Sequence, residues 1–404
     1  MHVFQEYLFI NLLLNGVVIN KIVNNSNALE IKNFGLSYYW GENFLTQYAS
    51  PDLEKFMQAS QVSSRLVYNN LVPKFITKVH SYNKKYLFSK IGIQKQYNIQ
   101  NIDIPKTLNK NLKDLNFPIV ILVLNFNGIK VIQATPESLG MKVKWFFKEI
   151  NVKFESYNLF ASKIFKKLEA FLSQNLSLAE IYNIMYNYIN LPTLQVTNNK
   201  MLDILRSILL ELLVESLEHT DIPDLNNGLL VVTGELVTLF GYKEYAYLSL
   251  IDGLLLNGIW GVFWDSGHVF LNLLYLMQNN QLNVDSSFLE ILFPYLDIFY
   301  LSWGKNVPLL EVGYTTSKKF IGRVNHLIKY SYNKKSNIFF SRDSYYNTNN
   351  KEAASYYELI LPTASYVKDI IIDNRQRPIT YGPGPLANKS RILSNIADLM
   401  KYES

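Results

Sequence analysis

Six short apolar runs, each closed by small or polar residues, constrain this chain most. They are Ile119–Leu124 before Asn125-Phe126-Asn127-Gly128, Leu229–Val232 before Thr233-Gly234, and Ile259–Phe263 before Trp264-Asp265. The others are Ile298–Leu301 before Ser302, Ile338–Phe340 before Ser341-Arg342-Asp343, and Glu358–Leu361 before Pro362. Continuous runs of this kind suit strands buried on both faces of a parallel sheet. Helical patterns lie between several of them. In Met201–Leu217 the polar residues Asp203, Ser207, Glu211 and Glu215 recur every four positions. So narrow a polar stripe predicts a helix mostly buried in its domain or against a partner, with Asn198 or Asn199 as its cap. Ala161–Leu172 and Ser390–Tyr402 are amphipathic, and Met141–Glu149 reads as a helix with Lys142, Lys144 and Lys148 on a solvated face. The expected fold class is therefore α/β, a mostly parallel sheet layered with helices over residues 111–404. Residues 1–110 are rich in Tyr, Asn and Lys, show little periodicity, and are expected to serve for docking. No tandem repeat is visible.

The chain has ample material for a core. Hydrophobic residues are 49% of its 404 and charged ones 18%, too apolar a balance for disorder. The mean hydropathy of +0.01 is high for a soluble protein and suits either buried interfaces in a large assembly or a membrane segment. No membrane span is expected. Phe117–Leu124 is too short, and Tyr245–Trp264 carries Asp252 near its middle, which costs about 2.5–3.5 kcal/mol on insertion scales. The net charge of +6 comes from 32 Lys and only 7 Arg, a ratio that argues against nucleic-acid binding, where Arg supplies the bidentate contacts. The absence of cysteine excludes disulfides, thiolate metal sites, protein-held iron–sulfur clusters and a Cys nucleophile.

Chemistry-bearing motifs are sparse. There is no glycine-rich phosphate loop, and Gly258-Ile259-Trp260-Gly261 reads as packing. The five histidines show no metal-ligand spacing. His268, in Trp264-Asp265-Ser266-Gly267-His268, reads as a hydrogen-bonded loop or packing histidine, because a Ser–His pair two residues apart forms no triad by itself. Asp265, Arg342 and Asp343 follow candidate strand ends, where an open α/β sheet would bind a ligand. Arg375 and Arg377, beside Asp373, read as a surface salt bridge or as a subunit contact. No catalytic, cofactor-binding or metal-binding residue is expected.

The last fifth of the chain carries a family pattern. Leu359-Ile360-Leu361-Pro362, then Ala364, Tyr366 and Lys368, precede the apolar run Ile370–Ile372 and a charged turn with Arg377; Leu386-Ala387 follow before a final helix. That order resembles the end of the molybdopterin-oxidoreductase-like domain in the large iron–sulfur subunit of respiratory complex I. Val231–Val237 is similar to an upstream segment of the same family. The turn departs from the family in Asp373-Asn374-Arg375 and Gln376. Leu361, Pro362, Ala364, Tyr366, Arg377, Leu386 and Ala387 would be structural motif residues. The resemblance implies a non-catalytic structural subunit in the peripheral arm of mitochondrial NADH:ubiquinone oxidoreductase, with no cofactor of its own. Iron–sulfur clusters would sit in a separate cysteine-rich partner, and membrane contact would come only through the complex. The expected location is the matrix side of the inner membrane. Heavy use of residues whose codons are AT-rich, with 43 Asn, and an N-terminus resembling neither transit nor signal peptide fit synthesis inside the organelle. The alternative is a structural protein of another large organellar assembly, such as the mitochondrial ribosome; a free-standing α/β enzyme is a third reading.

Overall fold

A single strand path is traced twice. In the computed structural model, β1 (Gln5–Leu12), β2 (Gly16–Asn25), β3 (Ala28–Tyr38), β4 (Arg65–Asn70) and β5 (Gln96–Tyr97) form one sheet in the order β3-β2-β1-β4-β5. The β1–β2 and β2–β3 pairs are antiparallel, and the β1–β4 and β4–β5 pairs are parallel. After the short helix α1 (Ile104–Asn109), the pattern repeats in β6 (Ile119–Asn125), β7 (Gly128–Leu139), β8 (Lys142–Lys153), β9 (Asn227–Thr233) and β10 (Gly258–Trp264). Their order is β8-β7-β6-β9-β10, again with two antiparallel and then two parallel pairs. The structure describes residues 5–12, 16–25, 28–38, 65–70, 96–97, 102–109, 112, 117–125, 128–139, 142–153, 168, 171–190, 198–217, 222, 225, 227–279, 296–301, 310–313, 327–331, 339–342, 356–357, 369–373, 375 and 385–400.

Three further strands extend the second sheet past β10 to eight strands: β11 (Asp297–Leu301), then β16 (Asp369–Asp373), then β13 (Leu327–Ser331). A separate three-stranded sheet holds β12 (Leu310–Gly313), β14 (Phe339–Arg342) and β15 (Tyr356–Tyr357). The fold is thus α/β, but the sheet is mixed and not mostly parallel. Only β6–β9, β9–β10 and β11–β16 run parallel in it. Continuous apolar runs report burial on both faces, and that burial is met here with antiparallel neighbours as well. Residues 1–110, aperiodic in sequence, contain the five-stranded sheet.

The expected helix Met141–Glu149 is corrected: Lys142–Glu149 belongs to strand β8. Trp145 is buried, Val143 and Phe147 pack on the same core, and Lys144, Phe146 and Lys148 are exposed. That is a period of two; the adjacent Phe146 and Phe147 obscure it. The candidate helix Ala161–Leu172 lies mostly outside the described residues, and so does the run Glu358–Leu361. Among the described residues, no helix is long and apolar enough to cross a membrane. Tyr245–Trp264 divides into most of the helix Lys243–Gly253 and then β10, with Leu255 in the turn at φ 48.

Alternation along β6 sets up two cores. Val120, Leu122 and Leu124 face the helices α3 (Asn199–Leu217) and α4 (Lys243–Gly253); Ile119, Ile121 and Val123 face α1 and α5 (Val269–Gln278). The second core also takes Tyr7, Phe9 and Ile22 from the first sheet, with Phe9 edge-on to Tyr275 at 6.1 Å. Helices α1 and α5 therefore lie between the two sheets. Helix α2 (Leu178–Asn190) starts with a capping box: Glu180 Oε2 accepts the Ser177 amide at 2.8 Å, and Ser177 Oγ accepts the Glu180 amide at 3.2 Å. Asn198 caps α3 through the amide of Lys200 at 2.9 Å. The polar stripe of α3 is largely inside: Asp203, Ser207 and Glu211 are buried, and Asp203 pairs with the buried Arg206 at 2.9 Å. The chain's last helix, α6 (Pro385–Met400), begins on proline, whose missing N–H costs nothing at that position.

Ion pairs tie α4 to the added strands. At its start, Lys243 bridges Asp297 at 2.6 Å and Asp369 at 2.8 Å, Glu244 pairs with the buried Lys329, and the Tyr247 hydroxyl donates to Asp297. Burial disfavours charge on Lys243, but Asp297 and Asp369 outweigh it and raise its pKa. Near its end, Asp252 meets Arg375 at 2.7 Å, and Arg375 also meets Asp373 at 2.8 Å. This corrects the surface reading of Arg375, which is 3% exposed. Burial opposes its charge, yet the two carboxylates hold its pKa above the ordinary value. It also explains an aspartate inside an apolar stretch.

Candidate functional site

The parallel strands β6, β9 and β10 end side by side. The chain builds outward from β6 to β8, then returns to the other side of β6 with β9. Open α/β sheets bind ligands outside the carboxyl ends of strands at such a reversal. Three turns meet there. The first closes the β6–β7 pair, whose register ends at Asn125 opposite Gly128, with Gly128 at φ 142. The second follows Thr233 with Gly234 at φ 109. A Cβ on Gly234 would lie 2.4 Å from the Leu124 carbonyl oxygen and 2.7 Å from its nitrogen. Only glycine lets the end of β9 pass so close to the end of β6. A 3-10 turn, Glu235–Thr238, leads on to α4.

The third turn, Asp265–His268, joins β10 to α5. The Asp265 amide donates to the Val232 carbonyl at 2.9 Å. One carboxylate oxygen accepts the Val269 amide at 2.7 Å; the other accepts the Thr233 hydroxyl at 2.8 Å and the Phe270 amide at 3.2 Å. Asp265 thus caps α5 and ties β9 to β10. Burial pushes its carboxyl up to about 7, against hydrogen bonds from Thr233 and the backbone amides. Because the protein's own carboxylate takes these amides, any anion in the crevice must look to the turns at Gly128 and Gly234.

His268 is buried in the left-handed region at φ 55. Burial lowers its imidazole to about 3, so the ring is neutral at pH 7 and offers one donor and one acceptor. Neither ring nitrogen has a hydrogen-bond partner. Nor do the amide atoms of Asn272, one turn along α5, or Oδ1 of Asn20 on β2. Asn20 Nδ2 donates to the Gly267 carbonyl, so these groups span both halves of the molecule. Each unmet buried polar group costs about 1–3 kcal/mol, and a group of them marks a place for water or a ligand to complete.

Of the residues singled out in sequence, Asp265 and His268 belong to this site, His268 as a buried ring and not as a side chain hydrogen-bonded within the loop. Arg342 ends β14, in the three-stranded sheet. Leu386 and Ala387 lie on the first turn of α6. Leu361, Pro362, Ala364, Tyr366, Arg377 and Asp343 fall outside the described residues. Sequence reasoning missed Asn20 and Asn272, and took Gly234 only as the close of an apolar run. An Asn within the apolar Val269–Met277 was the available signal for Asn272. Among the described residues, no group of three or more His, Asp or Glu is placed to hold a metal ion.

No protein-family model and no curated protein sequence matches this chain. Solved structures similar to parts of it include a Ppx/GppA family member from Aquifex aeolicus, at 9% identity and TM-score 0.26, over 57% of this chain and 66% of that one. An exopolyphosphatase from Cytophaga hutchinsonii is 7% identical with TM-score 0.26, over 56% and 66%. A Bacteroides thetaiotaomicron protein with an actin-like ATPase fold and unknown function is 10% identical with TM-score 0.25, over 67% and 96%. The chain spans less than two thirds of the length of the first two. Likeness at this level carries nothing about its activity.

These matches are phosphatase-family and actin-like ATPase-fold proteins, not molybdopterin oxidoreductases, complex I subunits or ribosomal proteins. They overturn the complex I assignment, with its non-catalytic role, its cysteine-rich iron–sulfur partner and its membrane contact through the complex. The ribosomal alternative falls with it. Physically, most of the motif behind that resemblance lies outside the described residues. Its apolar run Ile370–Ile372 forms β16, set between an antiparallel and a parallel neighbour.

Proposed function

We propose that this chain binds a phosphorylated small molecule at the carboxyl ends of β6, β9 and β10 and acts on its phosphoryl group. The observation that carries the reading is the close approach of the Gly234 turn to Leu124. It sets two glycine turns, at Gly128 and Gly234, side by side at the reversal point, where successive backbone N–H groups form anion-holding concavities. The unpartnered polar groups of Asn20, His268 and Asn272 beside the third turn support a ligand seated between the halves. Residue 110 is the proposed division between them.

Calorimetric titration of the full chain with ATP, pyrophosphate and tripolyphosphate, each with and without magnesium, tests binding; phosphate release tests the reaction. At least one ligand should bind with Kd on the order of 1–100 μM. Ser266 is exposed in the third turn, so Ser266→Glu should weaken binding roughly tenfold by repulsion while leaving the fold intact. No heat change with any of the three at about 1 mM would sink the proposal.

A further inference from the structure

The unpartnered groups beside the third turn are all uncharged. Asn20, His268 and Asn272 are fully buried, and burial leaves the His268 ring neutral at pH 7. They come from both halves. Asn20 lies on β2 opposite Phe9 of β1, while His268 and Asn272 lie one turn apart at the start of α5. Phe9 meets Tyr275 of α5 in the same layer.

Their open hydrogen-bonding positions are mixed. The His268 ring offers one N–H and one lone-pair nitrogen, and the Asn272 amide offers two N–H groups and an oxygen. Asn20 offers its oxygen, its nitrogen being engaged by the Gly267 carbonyl. Donors and acceptors are therefore balanced. An ionised phosphate is an acceptor; set here it would answer the N–H groups and leave buried acceptors facing an anion, which is costly away from water. A hydroxyl donates once and accepts twice, so a group rich in hydroxyls answers both kinds.

The cluster lies within one ligand's reach of the glycine turns. Thr233, which precedes Gly234, holds Asp265 at 2.8 Å, and the three residues from Asp265 to His268 span at most about 11 Å. Resting on the phosphoryl reading above, we infer that the ligand is an organic phosphate ester whose uncharged, hydroxyl-bearing part is enclosed by Asn20, His268 and Asn272. The ester enters when the first sheet parts from α5, and it holds the two halves together once bound. Inorganic polyphosphate, which has no such part, is a poor ligand.

Calorimetry of the full chain with ligands matched in phosphate tests this. Ribose 5-phosphate is compared with inorganic phosphate, and ATP with tripolyphosphate; the first pair isolates the sugar hydroxyls, and the second adds the base. In at least one pair the ester should bind about tenfold or more tighter. Asn272→Leu keeps the branched shape and removes an unmet polar group, so its melting temperature should hold or rise, and the ester's advantage should vanish. Asn272→Ser, which retains one hydroxyl, should keep part of it. Equal binding of ester and inorganic partner in both pairs overturns this inference and leaves the phosphoryl reading standing. An advantage that survives Asn272→Leu undiminished also overturns it, the polar groups then holding water only. Binding of none of the four at about 1 mM sinks both readings.

Discussion

Asp265 and His268 stand three residues apart and respond to pH in opposite senses. Burial raises the Asp265 carboxyl, so its contribution to stability is full at low pH and is lost as pH rises toward 7. Burial lowers the His268 imidazole, so its contribution is full above pH 6.5 and is lost as pH falls toward 3. His268→Asn removes the second loss, and asparagine tolerates the left-handed backbone. In urea titrations the stability difference should shift in the variant's favour by about 1.4 kcal/mol per pH unit below 6.5. A constant difference between pH 6.5 and 4.5 would show that the ring is not buried neutral. Gly234→Ala meets both a disfavoured φ and the Leu124 backbone, and should lower stability by more than about 2 kcal/mol in thermal melts. At this scale the sequence was half legible. Asp265 and His268 stood out by following an apolar run. Arg375 was misjudged because its deciding partner, Asp252, is 123 residues away; only Asp373 lies nearby.

Helix α4 is held at both ends by charge. Lys243 and Glu244 anchor its start to β11, β13 and β16, and Asp252 anchors its end to the segment after β16. Because α4 follows the Gly234 turn, these contacts set where that turn lies. Removing one partner leaves buried charge behind: Arg375→Met strands Asp252 and Asp373 and should cost about 3–5 kcal/mol by chemical denaturation. Replacing all three by apolar residues of similar volume should restore much of that, whereas equal losses in the single and triple variants would mean that packing, not charge, is at stake. Elements with a single strong signal were readable: β6, β9, β10, β11 and β16 follow their apolar runs, and α3 follows its leucines. Strand β8 was not, because lysines and aromatics in Lys142–Glu149 fit a helical face and a strand face equally until neighbours decide.

The double tracing of one strand path is invisible as a sequence repeat. Topology is fixed by which faces are apolar and where turns fall, and many sequences satisfy the same pattern. The two halves meet through Phe9, Tyr7 and Ile22 against α5. Phe9→Ala opens a cavity in that layer and should cost about 3–5 kcal/mol. Hydrogen exchange should then quicken in β1 and α5 together; quickening confined to β1 would mean the sheets do not share a core.

That shared layer sets a timetable for synthesis. The described strands of the first sheet have been made by Tyr97 and α1 follows at once, but α5, which sets Tyr275 against Phe9, begins only at Val269. At roughly 5–20 residues per second, the ribosome needs on the order of ten seconds or more to bridge that gap. Through that interval the apolar face of the first sheet lacks α5, and a cell making this protein must keep the uncovered part from finding another partner.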